Sequence, residues 1–97
     1  MGVDLISCDQ NGRDLHYNWE GWRFLQEFAS KQGIDPAQIT DSNNGDTLSA
    51  AICDAVANAI ESQPSEYNKF FAGPAYGPAP AKEHARIWRE SSGFEQR

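Results

Sequence analysis

The chain has 97 residues, with 14 Asp and Glu against 8 Lys and Arg, for a formal net charge of -6. That length supports one hydrophobic core and no second, and three Trp, three Tyr and five Phe supply the bulky apolar material that a disordered chain lacks. Phosphate binding needs clustered Lys and Arg, so nucleic acid and anionic membrane surfaces are poor direct partners, and a basic partner is the electrostatically consistent one.

In chain order, residues 3–8, VDLISC, alternate as a strand does, and DQNG supplies the Asn-Gly pair that tolerates positive φ in a hairpin turn. A second strand is expected through RDLHY. Asn18 then caps a helix from Trp19 to about Gln32, with Trp19, Trp22, Leu25, Phe28 and Ala29 three or four apart and Phe24 widening the face. Gly33 is its left-handed stop, Ile34 the apolar contact beyond, and Pro36 blocks continuation.

A connection, DPAQITDSNNGD, leads to TLSAAICDAVANAIESQ. This reads as a second helix capped by Ser49, or by Thr47 if it starts earlier, with Ile52, Val56, Ala59 and Ile60 inward and Asp54, Asn58 and Glu61 outward. Pro64 ends it. SEYNKFF suits a short helical turn, and the Pro- and Gly-rich AGPAYGPAPA a loop pinned by Tyr76. A third helix is expected from Pro80 or Ala81 through KEHARIWRESS, burying Ile87 and Trp88, with Gly93 as its stop and Phe94 folding back. The expected fold class is α+β: one domain over residues 1–97, an amino-terminal β-hairpin packed with about three helices.

The opening MGVDLISCDQ has no basic start and no long apolar run, so no secretory leader is expected. Cys8 and Cys53 are too few for a disulfide framework and form no metal or redox spacing, which suits a reduced, cytoplasmic setting. DSNNGD fails as a calcium loop: counted from Asp41, Gly45 comes one position early and Ile52 stands where a bidentate glutamate belongs. A turn built on Asn44-Gly45 fits better. His16 and His84 have no ligand-spaced companions and read as a strand histidine and a surface helix histidine. Cys53 lies beside an apolar stripe, where cysteine is usually an inert filler of the core. HYNWEGWRFLQEF has a helical period and is diluted by Glu20 and Glu27, so it reads as core rather than a base-stacking platform. No cofactor, no metal and no catalytic residue is expected.

The charge is unevenly placed. Between Lys31 and Lys69 there is no Lys or Arg, yet Asp35, Asp41, Asp46, Asp54, Glu61 and Glu66 all fall there, and outside that window eight acids face eight bases. Asp54 and Glu61 stand two helical turns apart, about 10.5 Å by helical rise, close to the roughly 10 Å covered by three phosphate steps of one DNA strand. Any helical pair seven apart does the same, and an ordinary solvated face is the plain alternative. Carboxylates with no base near them in sequence can nevertheless complete themselves with cations of another molecule. Asp35, Asp41, Asp46, Asp54, Glu61 and Glu66, with Asn58 as a hydrogen-bonding neighbour, are the candidate partner-binding residues.

Three stretches, MGVDLIS, HYNWEGW and RESSGF, resemble a loose group of small bacterial and prophage proteins with a Gly-Val-Asp-Leu-Ile-Ser opening and an Asn-Trp-x-Gly-Trp element. In size and acidity the chain also resembles the anti-CRISPR inhibitors of phages and prophages, especially the type I-F kind that mimic DNA. The resemblance implies a non-enzymatic inhibitor that occupies the Lys- and Arg-lined DNA site of a CRISPR surveillance complex. No diagnostic motif aligns, so no residue's role is carried over. Two other readings stay open: a protein-interaction domain that uses an ordinary contact or self-associates through Tyr67, Phe70 and Phe71, and an enzyme using Cys53 or the histidines.

Overall fold

A computed structural model describes residues 2–41, 45–71 and 79–97. The amino-terminal alternation forms β1 (Gly2–Ser7), with Val3 and Leu5 fully buried and Asp4 exposed. β2 (Leu15–Asn18) pairs with it antiparallel, Val3 opposite Tyr17 and Asp4 opposite His16. The hairpin is therefore present, but residues 8–14 form its connection rather than a two-residue turn on Asn11-Gly12. Two carboxylates explain the longer loop: Asp9 accepts from the Asn11 amide at 2.8 Å, and Asp14 accepts from the Ser7 amide at 2.8 Å.

Asn18 closes β2 and caps α1 (Trp19–Lys31), its side chain accepting from the Gly21 amide at 2.7 Å. Trp22, Leu25, Phe28 and Ala29 face inward as their spacing requires, and Gly33 stops the chain at φ 92°. The segment beyond is tied back to α1. Asp35 caps a 3-10 turn at Pro36–Gln38, the Trp22 indole donates to the Thr40 carbonyl at 3.0 Å, and Gln26 donates to the Ile39 carbonyl at 2.9 Å.

Thr47–Leu48 is not the start of a helix but a short strand, β3, after which Ser49 caps α2 (Ala50–Ser62) by accepting from the Ile52 amide. Pro64 both ends α2 and opens α3 (Pro64–Phe70), so SEYNKFF belongs to a helix rather than a lone turn. Proline at the first position and Lys69 in the last turn suit a short helix. α4 (Pro80–Glu90) begins where expected, giving four α-helices among the described residues where about three were expected. Phe94 does more than fold back: it opens β4 (Phe94–Gln96). β4 inserts between β1 and β3, so the sheet runs β2-β1-β4-β3, antiparallel throughout. The fold is α+β. Tyr76 and Asn44 lie outside the described residues, and with them the loop pinned by Tyr76 and half of the Asn44-Gly45 turn; Gly45 itself adopts φ 102°.

The core lies between the sheet and the helices, α2 packing closely on α4. Trp22, Trp88, Tyr17, Tyr67, Phe71 and Phe94 are its largest fully buried side chains, each worth on the order of 2 kcal/mol in transfer from water. The rings meet edge-on or tilted, as their quadrupoles prefer: Trp88 and Phe94 at 5.0 Å and 86°, Tyr67 and Phe71 at 4.6 Å and 35°.

Candidate functional site

Each acid of the basic-free window sits on a backbone position fixed by a local signal. Asp54, Asn58 and Glu61 share the exposed stripe of α2, opposite the one that buries Val56 and Ile60. Asp35 spends one oxygen on the Ala37 amide at 2.9 Å, and Asp41 accepts from the Gln26 side chain at 3.0 Å. With Trp19, Glu20 and Arg23, Asp41 lines a shallow cavity of about 340 Å³. Asp46 precedes edge strand β3, its carbonyl accepting from the Gln96 amide at 2.7 Å while the residue stays exposed. Glu66, in the first turn of α3, lines a second shallow cavity of about 320 Å³ with Phe24, Lys69 and Phe70.

One expectation about these residues is corrected. Glu61 is not left for a cation of another molecule, because Arg89 of α4 forms an ion pair with it and donates to the Asn58 side chain at 2.8 Å. Packing of α2 on α4 brings this arginine across from a distant part of the sequence. Among the described residues, Asp35, Asp41, Asp46, Asp54 and Glu66 form no ion pair. The structure thus joins Asn58 to Glu61 on the stripe that also carries Asp54 and sets Asp41 beside Glu20, while Asp35, Asp46 and Glu66 stand on other elements. Sequence reasoning missed Glu20 and Arg89, and no spacing signal existed to find either.

The second correction concerns His84, expected on the surface. It is 6% exposed, and burial pushes its imidazole down to about 4. Trp88 donates from its indole to the Tyr17 hydroxyl at 3.0 Å, that hydroxyl lies 2.6 Å from the Tyr67 hydroxyl, and the latter lies 2.5 Å from His84 Nδ1. Indole is a donor only. With the Tyr67 hydroxyl as donor, His84 Nδ1 accepts as an unprotonated ring nitrogen, which agrees with a neutral His84. His16 is a strand histidine as read, 2.6 Å from Asp4 on the neighbouring strand.

Cys53 is buried to 1% exposure, and burial first of all pushes its thiol up to about 11, the opposite of what a nucleophile needs. Among the described residues no group of three or more His, Cys, Asp or Glu is placed to hold a metal ion, and no helix is long and apolar enough to cross a membrane. Tyr67 and Phe71, read as exposed aromatics, are buried; Phe70 alone of that trio is open, at 44%, and stacks on Phe24 with centroids 4.3 Å apart. No protein-family model matches the chain, and neither a search of curated proteins nor one of solved structures returned a match.

Proposed function

We propose that this chain is a non-enzymatic interaction protein that docks its acidic surface on the basic, DNA-binding surface of another protein, as DNA-mimicking anti-CRISPR inhibitors do on a surveillance complex. The observation that supports this reading is the charge distribution: six acids follow one another with no base between Lys31 and Lys69, and five of them are without an ion pair among the described residues. Such a surface speeds encounter with a basic target and weakens with salt. Asp46 and Asp54 are its best-placed members, exposed and without an ion pair among the described residues, whereas Glu61 and Asn58 serve first to hold Arg89. Exposed ion pairs contribute only about 0–1 kcal/mol each, so apolar contact must supply much of the affinity, and Phe70 stacked on Phe24 offers it.

The test is competition between the protein and labelled target DNA for a purified type I-F surveillance complex, at several salt concentrations. The wild-type chain should displace the DNA, less well as salt rises. Asp46→Lys with Asp54→Lys should weaken displacement by about tenfold or more while circular dichroism and melting temperature hold. Undiminished competition by the double variant, or none by the wild type, would refute the reading.

A second reading has its own observation: Phe70 is the exposed large hydrophobic side chain among the described residues. If an ordinary apolar contact does the binding, Phe70→Ser abolishes association with the partner and the double charge reversal leaves it intact.

A further inference from the structure

The outer face of α1 carries a regular pattern of charge. Glu20, Arg23, Glu27 and Lys31 recur three or four residues apart, so they form one stripe along the helix, and all four are exposed. Their signs alternate. Alternating charge on a solvated helix ordinarily serves internal pairs, and Arg23 with Glu27 and Glu27 with Lys31 have the spacing for them. Yet among the described residues none of the four forms an ion pair. Two acids and two bases cancel, so the chain's net charge of -6 lies wholly outside this stripe. Apolar surface flanks it: Phe24 stacks on Phe70 of α3, which is 44% exposed, and the two rings line a shallow cavity with Glu66 and Lys69, again one acid and one base.

We propose that the chain pairs with a second copy of itself through this face, the two α1 helices running antiparallel about a two-fold axis at mid-helix. The order of signs selects that arrangement. Turning the helix end for end sets Glu20 opposite the partner's Lys31 and Arg23 opposite the partner's Glu27, and the symmetry makes each contact twice. The midpoints of the two pairs differ by only about half a residue, or about 0.75 Å of helical rise, so one axis serves both. Parallel helices would instead set Glu20 against Glu20 and Arg23 against Arg23, which like charges resist. The axis also brings each Phe24–Phe70 stack against its own copy, and this supplies the apolar contact that exposed ion pairs, weak by themselves, require. The same stack is the contact offered above to a basic partner, so pairing and docking compete for it. Pairing is a property of the chain alone and does not rest on the docking reading.

The experiment is sedimentation velocity on the whole chain without any partner, at low and high salt, from about 1 μM to about 1 mM. The wild type should pass from monomer to dimer within that range, and less readily at high salt. Glu20→Lys and Lys31→Glu shift the net charge in opposite directions, yet each sets like charges against one another twice in the dimer, so each should weaken association by about tenfold or more. Glu20→Lys combined with Lys31→Glu keeps the net charge and restores the opposition with its signs exchanged, so this double variant should associate as the wild type does. Phe70→Ser should also weaken association by about tenfold. Circular dichroism of each variant checks that the fold is kept. A wild-type chain that stays monomeric throughout, single variants that move association in opposite directions, or a double variant no better than the singles would each overturn the proposal. The first of these does not depend on whether a variant folds. With no partner present, failure here leaves the docking reading untouched, and failure to displace DNA leaves the pairing untouched.

Discussion

The polar groups of the core and those of the mid-chain surface follow opposite rules. Inside, Trp88, Tyr17, Tyr67 and His84 are linked by hydrogen bonds at 3.0, 2.6 and 2.5 Å. On the surface, Asp46 and Asp54 are exposed and form no ion pair among the described residues, and even the ion pair of Glu61 with Arg89 joins two side chains roughly half exposed. The difference is set by solvent. A buried polar group without a partner loses its hydration for nothing, whereas an exposed carboxylate keeps it. Stability therefore concentrates in the first region, and freedom to engage another molecule in the second.

The largest expected break in that comparison comes from acid. His84 has its pKa held at about 4 against an ordinary 6.5, with Glu83 nearby pulling it up and Arg13 pushing it down, both weaker than burial. The unfolded chain then binds a proton more readily than the folded one between those values. Stability should be intact above pH 6.5 and fall as the pH drops towards 4, by about 3 kcal/mol in all. Urea unfolding followed from pH 7.5 to 4 measures this, and His84→Gln should flatten the dependence in that window. A smaller effect is expected of Tyr67→Phe, which deletes the hydroxyl shared by Tyr17 and His84: a loss of about 1–3 kcal/mol in the same assay. Smallest is Arg89→Ala, which frees Glu61 and Asn58 on the surface. It should cost about 0–1 kcal/mol and vanish at high salt in thermal denaturation. A larger cost there would mean that the surface region stabilises the fold as the core does.

Signals confined to a few neighbouring residues were legible in the sequence. Asn18, Ser49 and Gly33 act where their chemistry places them, because a cap or a left-handed stop is decided within one helical turn. β3 and β4 were not legible, since two or three residues have no periodicity, and only pairing makes Thr47–Leu48 and Phe94–Gln96 strands. His84 was readable in retrospect: it stands three and four positions before Ile87 and Trp88, on the stripe that α4 buries. The partnership of Arg89 with Glu61 was not, because helix packing rather than spacing creates it. A run of acids marks where charge is, not which of its members the fold has already neutralised.

The order of the sheet carries a consequence for how the chain is assembled. β1 and β3 meet only through β4, which stands almost at the opposite end of the sequence from β1. During synthesis the two early strands must wait, edges open, until residues 94–96 leave the ribosome. Sheet closure is thus a late, long-range event that slows folding. Shortening the chain before Phe94 would remove the central rung of the ladder and set its two halves adrift.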